Sequence, residues 1–228
     1  MEPRNPLLDD YVLSLARQRR RPRICFIATA SGDSERYIKN FNKAFPPSRA
    51  KATHLKLFDR TIADLKSFAM RQDVIYVGGG NTANLLAIWR LHGLDRALRA
   101  AWKAGVVLAG ISAGAICWFD DGITDSYGMP FRALGDGLGF LAGACCPHFD
   151  GESARRAILH RLVKRGFPPT LALDDGAAAH FVGRRLAEVV SSRPHASAFH
   201  VALKRGAVRE TPITVRYLGA SPRPMRRR

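Results

Sequence analysis

One serine in this chain stands out by its surroundings as a candidate nucleophile. Ser112 lies in Val106-Val107-Leu108-Ala109-Gly110-Ile111-Ser112-Ala113-Gly114-Ala115. An apolar run suited to a strand covered on both faces meets a serine flanked by small residues. A strand-to-helix elbow strains the backbone at its apex and brings the turn against its neighbours, so bulk beside it would clash. Such an elbow lifts the hydroxyl above a sheet and aims the next backbone N–H groups at the same space, as an activated nucleophile beside an oxyanion hole requires. The plain alternative is a serine that only caps the following helix.

A serine hydroxyl needs a base, and the base needs an orienting group. Seven histidines are available: His54, His92, His148, His160, His180, His195 and His200. His54 alternates within an expected strand, His92 and His160 fall in helices, and His180 lies in a later strand. His148 follows Cys145-Cys146-Pro147 at the end of an apolar segment downstream of the elbow. It is the expected base. The four cysteines, Cys25, Cys117, Cys145 and Cys146, form neither a Cys-x-x-Cys pair nor a Cys/His metal pattern. Reduced, mostly buried thiols are expected, with no metal and no cofactor.

The elements that must position these residues follow from the pattern. Leu7 to Gln18 reads as an amphipathic helix with Asp9 or Asp10 at its start. Ile24 to Ala30 is a buried strand, and Glu35 to Phe45 a helix with Tyr37, Ile38, Phe41 and Phe45 on one face. Thr53 to Phe58 is a strand, and a short helix follows with Thr61 as its cap. Asp73 to Val77 is a strand ending in Gly78-Gly79-Gly80-Asn81-Thr82. Glycines there leave room for a ligand against bare N–H groups, and Asn81 or Thr82 is placed to cap a helix to about Leu91. This loop lacks the Lys-Ser/Thr pair of a phosphate loop and the spacing of a dinucleotide site. Leu94 to Lys103 is a helix feeding the elbow strand. Trp118 to Met129 reads as polar, turn-rich and outside the core. A helix from Glu152 to Lys164 comes after His148. Short strands at 171–173, 177–182 and 186–190 follow, with Asp174-Asp175-Gly176 a turn, then a hairpin around Arg205-Gly206 and a last strand at Tyr217.

Alternating strands and helices predict an α/β fold, a doubly wound, mostly parallel sheet with helices on both faces and a small antiparallel C-terminal extension. Ligands in such sheets sit beyond the carboxyl ends of the strands, so the loops at Ser31, Gly78 to Asn81 and Ser112 should share a rim. With 228 residues the chain suits a single domain, residues 1–21 being a helical extension and 220–228 a basic tail. No apolar run is long enough to span a membrane, and the N-terminal stretch has no secretion-signal pattern, so a cytoplasmic location without membrane partners is expected. The net charge of +17 suits a basic, nucleic-acid-associated protein. Its arginines, however, cluster at 17–23 and 223–228 without interleaved aromatics, which argues against specific nucleic-acid binding.

Gly78-Gly79-Gly80-Asn81, Gly110-Ile111-Ser112-Ala113-Gly114-Ala115 and Cys146-Pro147-His148-Phe149, in that order, resemble the S51 serine peptidases, the family of peptidase E and cyanophycinase. The resemblance covers roughly residues 22–218. It implies a fold like that of class I glutamine amidotransferases, Ser112 as nucleophile, His148 as base, and oxyanion N–H groups from Gly79 or Gly80 and from Ala113, with Asn81 beside them. It implies a small peptide as substrate, a dipeptide in the peptidase E case. A homodimer is left open. Peptidase E carries its acid in an Asn-Asp-Met-Pro segment. The matching stretch here is Asp125-Ser126-Tyr127-Gly128-Met129-Pro130, and alignment on Met-Pro puts Gly128 at the acid position. A shifted loop would bring in Asp125, the first choice; Asp120, Asp121 and Asp136 follow, and a dyad aided by Ser126 or Glu152 is the other course. Arg132 or Arg155 is suited to receive a substrate carboxylate. The alternatives to a peptidase are a catalytically degenerate binding protein of the same fold and the basic nucleic-acid-associated protein.

Overall fold

A computed structural model describes residues 4–18 and 20–219. The basic tail at 220–228 and Arg19 lie outside the described residues. The first half builds one parallel sheet. Strands β1 (Arg23–Ile27), β2 (Lys51–Leu55), β3 (Val74–Val77) and β4 (Val107–Gly110) lie in the order β2-β1-β3-β4, all parallel. Side chains alternate across β1 and β3. Cys25, Ile27, Ile75 and Val77 face one way, toward α3 (Leu65–Met70), α4 (Thr82–His92) and α5 (Leu94–Lys103), where Trp89, Leu85 and Leu98 are fully buried. Ile24, Phe26, Val74 and Tyr76 face the other, toward α1 (Leu7–Ser14) and α2 (Glu35–Ala44). Both faces are thus covered by helices, which is why these strands are apolar without interruption.

The chain runs from β1 through α2 to β2, then crosses back through α3 to β3 on the other side of β1. The strand order therefore reverses between β1 and β3, where open α/β sheets form their ligand crevice. Two loops meet there. The N–H of Asn81 donates to Ala30 O at 2.7 Å. A Cβ on Gly80 would lie 2.1 Å from Ala30 O, and its φ of +138° suits only glycine.

The second half departs from expectation at two places. Trp118 to Met129, read as turn-rich surface, contains β5 (Phe119–Thr124), whose Phe119, Gly122, Ile123 and Thr124 are buried. Its acids mislead because they serve backbone rather than water. Asp120 Oδ2 accepts the Gly143 N–H at 3.0 Å; Asp121 Oδ1 accepts those of Gly122 and Gly135 at 2.7 and 2.8 Å. A six-stranded sheet is ordered β12-β11-β8-β7-β5-β6, from β6 (Arg132–Ala133), β7 (Leu141–Cys146), β8 (Thr170–Leu173), β11 (Ala198–Lys204) and β12 (Ala207–Ile213). Its β5, β7 and β8 are parallel, and the rest pair antiparallel. Helix α7 (Ser153–Lys164) covers it with Leu159 and Val163. The C-terminal extension is mixed rather than antiparallel throughout. β9 (Ala177–Val182) and β10 (Arg185–Ser191) form a hairpin, and β13 (Val215–Tyr217) adds parallel to β10.

Boundaries shift where side chains compete for backbone groups. Helix α1 stops at Ser14, whose Oγ bonds back to Tyr11 O, and neither Asp9 nor Asp10 caps it. The cap of α3 is Asp64, not Thr61: Asp64 Oδ1 accepts the Ser67 N–H at 2.9 Å.

The short helix α6 (Ala113–Ile116) joins the two sheets, packing on β3, β4, β5 and β7. Its contacts leave no room for side chains. A Cβ on Gly110 would stand 1.9 Å from Gly114 O, and one on Gly114 would stand 2.4 Å from Val77 O. A second device pins the neighbouring loop. Asn81 Oδ1 accepts the Asn84 N–H at 2.8 Å, and Ser126 Oγ accepts those of Thr82 and Ala83 at 2.9 and 3.2 Å. The first-turn donors of α4 are therefore met partly by a residue 44 positions away.

Two outcomes follow for stability. Gly114→Ala forces a methyl group against a strand carbonyl and should cost about 1–3 kcal/mol, lowering the melting temperature by roughly 2–4 °C per kcal/mol. An unchanged melting temperature would mean that the β3–α6 contact yields freely. Ser126→Ala leaves two helix N–H groups without their acceptor and should cost about 1–2 kcal/mol. The readout is a lower urea midpoint at constant slope.

Candidate active site

The elbow has the strained geometry expected of it. Ser112 adopts φ 55° and ψ −115° between β4 and α6. A non-glycine residue held this way costs on the order of 1–3 kcal/mol and persists only where its surroundings enforce it. Here they do, through the Gly110–Gly114 and Gly114–Val77 contacts and through the Ile111 N–H, which donates to Val77 O at 3.1 Å. The Ser112 side chain makes no capping bond with its own helix, so the reading of a simple side-chain cap does not hold.

Gly79 lies directly against the serine. A Cβ on Gly79 would be 3.2 Å from Ser112 Cβ and 3.8 Å from its Oγ. The glycine-rich loop and the elbow therefore share one rim, as neighbouring parallel strands β3 and β4 dictate. The N–H groups here differ in availability. Gly78 N–H donates to Ile27 O, and Gly79 N–H makes a long bond, 3.3 Å, to the Tyr37 hydroxyl. Among the described residues, the N–H groups of Gly80 and Ala113 have no acceptor. The Asn81 side chain is not available to a ligand as expected. It caps α4 with its oxygen and donates through Nδ2 to Ser126 O at 2.9 Å.

His148 stands just past β7 with φ 56°. Its Nδ1 lies 2.6 Å from Asp175 Oδ1. With Nδ1 donating to the carboxylate, Nε2 keeps its lone pair and is free to accept a proton. Neighbouring loops hold this pair. β7 and β8 are parallel neighbours, so residues 147–151 and 174–176 leave the sheet side by side. Phe149 N–H donates to Leu173 O at 3.0 Å, and Asp175 N–H donates to Asp150 Oδ1 at 2.8 Å. Ser112 and His148 are carried on packed elements, α6 against β7. No hydrogen bond yet joins Ser112 Oγ to His148 among the described residues. Such bonds are often open without substrate and tighten in the complex.

The partner of His148 is thus Asp175 and not Asp125. Asp125 is an exposed residue where β5 ends, its backbone carbonyl accepting the Gly128 N–H. The other proposed groups are engaged elsewhere. Asp120 and Asp121 hold loop N–H groups, Asp136 pairs with Arg90 at 2.7 Å, Ser126 caps α4, and Glu152 pairs with Arg155. Sequence reading placed the Leu171–Leu173 strand and the Asp174-Asp175-Gly176 turn but lacked the pairing of β8 with β7. That pairing was the signal, since the ends of adjacent parallel strands converge.

The two arginines considered for a substrate carboxylate differ in setting. Arg155 is buried, donating to Glu152 Oε2 and Ile123 O at 2.8 Å each and lying over the Phe131 ring. Arg132 is exposed and lies over the Tyr127 ring. The four cysteines are unpaired and buried. Burial pushes their thiols up, those of Cys25 and Cys146 to about 12, so they are poor nucleophiles at neutral pH. A groove of about 620 Å³ runs beside β2, lined by Arg21, Asn42, Phe45, Lys51, Thr53 and His54. It lies at the sheet edge farthest from β4 and has no part in this constellation.

Known proteins share this architecture. Two solved structures, each 18% identical in sequence, share the fold. A peptidase from an acI-B1 Actinobacterium superposes with a TM-score of 0.67 over 92% of this chain and 89% of its own. A putative peptidase E protein from Listeria monocytogenes EGD-e gives 0.59 over 78% and 90%. In sequence, the chain is 52% identical over 220 residues to the uncharacterized peptidase YgaJ of Bacillus subtilis (strain 168), covering 96% of this chain and 94% of that one. The profile of peptidase family S51 matches residues 1–189. No helix among the described residues is long and apolar enough to cross a membrane. By sequence and by fold, the chain is a peptidase belonging to family S51.

Proposed function

We propose that this peptidase is of the serine type and hydrolyses small peptides by acyl transfer, with Ser112 as nucleophile, His148 as general base and Asp175 as the orienting acid. The observation that carries this reading is the backbone of Ser112, strained at φ 55° in an elbow whose glycines touch their neighbours. Strain kept at a serine that caps nothing is what exposing a nucleophile requires.

In this scheme His148 Nε2 takes the proton from Ser112 Oγ as the oxygen attacks the peptide carbonyl. Asp175, accepting from Nδ1, fixes the tautomer and stabilises the imidazolium that forms. The partnerless N–H groups of Ala113 and Gly80 receive the oxyanion, which is where preorganised donors matter most. His148 then protonates the leaving amine, and the acyl group remains on Ser112. A water deprotonated by His148 releases the acid and restores the serine. The Gly78–Asn81 loop beside Ser112 is tied to the 125–131 loop through Asn81 and Ser126, which holds this side of the rim in place.

The test combines labelling and turnover. A fluorophosphonate should add once to the wild-type chain by intact mass and not at all to folded Ser112→Ala. On a dipeptide substrate found by library screening, His148→Gln should lose about 100-fold or more in kcat/KM. Asp175→Asn should lose at least as much while Asp125→Asn stays within about twofold, because only the first presents the wrong donor to Nδ1. Equal losses at 125 and 175 would overturn the assignment of the acid. Full activity in Ser112→Ala would overturn the serine mechanism.

A further inference from the structure

Tyr37 reaches the catalytic rim from a helix that carries no other part of it. It lies on α2, and its ring passes behind the glycine-rich loop: a Cβ on Gly78 would meet Tyr37 Cε1 at 3.0 Å. The ring is fixed by Phe26, edge to face at a centroid distance of 4.9 Å, and Phe26 is itself stacked on Phe41 at 4.7 Å. This packing delivers the hydroxyl to Gly79 N–H, 3.3 Å away, and Gly79 is the residue that touches Ser112.

The bookkeeping of this hydroxyl is incomplete. A phenol carries one donor as well as its acceptor lone pairs. Tyr37 accepts from Gly79, and among the described residues nothing accepts its proton. A partly buried donor with no protein acceptor, held on the glycine that abuts the nucleophile, is suited to a charge that exists only during the reaction. The Gly79 N–H, spent on Tyr37 and so lost to an oxyanion directly, is not wasted by this arrangement. It polarises the O–H, and hydrogen bonds in such a chain strengthen one another.

We propose that Tyr37 is a catalytic residue whose hydroxyl donates to the oxyanion formed at Ser112, completing a relay from Gly79 N–H through the phenol to the charged oxygen. The assignment rests on the serine mechanism above. The phenol keeps its proton at neutral pH. Burial and the nearby Asp9 carboxylate push its pKa up, and the Gly79 N–H pulls only against them. Three donors then surround the oxyanion: Ala113 N–H, Gly80 N–H and Tyr37 O–H. The first two are backbone groups, so Tyr37 is the member that a side-chain substitution removes without altering the backbone.

The experiment needs no knowledge of the natural substrate. Phosphonylation of Ser112 by a fluorophosphonate expels fluoride and develops negative charge on the phosphoryl oxygen, so its rate reads the oxyanion donors. Tyr37→Phe keeps the ring and its packing and removes only the hydroxyl. It should melt within about 2 °C of wild type and be labelled about 100-fold more slowly, the scale of losing one oxyanion donor. Installing 3-fluorotyrosine at position 37 restores a donor of greater acidity on the same ring and should return labelling to the wild-type rate or above. Labelling of Tyr37→Phe within twofold of wild type would overturn the proposal and leave the serine mechanism standing. Labelling with 3-fluorotyrosine as slow as with phenylalanine would do the same. A wild-type chain that takes no label at Ser112 would overturn both.

Discussion

The structure depends on one close approach, that of α6 to the ends of β3 and β4. At Gly110 and Gly114 the backbones come so near that a single methyl group would overlap a carbonyl oxygen. This contact fixes the direction in which the chain leaves β4, forces Ser112 out of the ordinary regions of backbone space, and seats α6 on strands of both sheets. The stabilising side of the balance is the apolar packing around it. Ile116, Ala113 and Cys117 are buried among Val77, Leu85, Trp89 and Cys145, and burial of such side chains is worth about 1.5–3 kcal/mol each for the larger ones. A strained serine of a few kcal/mol is affordable in that setting and would not be in a surface loop.

Around the rim, polar side chains are used mostly to satisfy backbone. Asp33 Oδ2 receives the N–H groups of Leu57 and Phe58, Asp174 Oδ2 that of Ser197, and Asp150 Oδ1 that of Asp175. Loops running between parallel strands cannot form ladders of their own, so their buried N–H groups need side-chain acceptors. Against this background the His148–Asp175 contact is different in kind, since it joins an imidazole to a carboxylate rather than a side chain to backbone. The basic excess of the sequence is distributed likewise. Arg49, Arg90, Arg155, Arg156 and Arg216 each pair with a carboxylate, leaving the site itself without a dominant local cation among these.

Periodicity and glycine placement made the first half of the fold readable. The strands at 24–27, 74–77 and 107–110 are uninterrupted apolar runs because both faces are covered, and the helices between them show one buried face each. Ser112 and the Gly78–Gly80 loop were legible for the same reason: only a crowded strand end asks for that many small residues. β5 was not legible, because Asp120, Asp121 and Gly122 carry the composition of a turn while their roles are set by Gly143, Gly135 and Ile116, remote in sequence. Asp175 was missed on the same principle. A turn aspartate and one that holds a histidine look alike until the neighbour of its strand is known, and strand pairing is a property of the whole sheet. Tyr37 read as one more apolar position on the α2 face, since nothing local tells a buried ring from a buried ring with its hydroxyl in use.

The first helix carries a consequence for how the chain is made. Tyr11 bonds to His180 Nδ1 and Glu188 Oε1, at 2.7 and 2.8 Å, and Asn5 Nδ2 reaches Ser192 O at 2.9 Å. Val12 and Leu13 also pack on the first sheet, so α1 has two docking surfaces made at very different times during synthesis. The apolar one exists once β1, β3 and α2 are formed. The polar one waits for β9 and β10, and closing a loop of that span has an entropic cost that only the finished hairpin offsets. A ribosome-bound intermediate would hold its helix by one side alone until the last quarter of the chain emerges. Because β8, Asp175 and β9 follow one another directly, the polymer arrives at its completed His148–Asp175 contact and at its N-terminal latch in almost the same moment of translation.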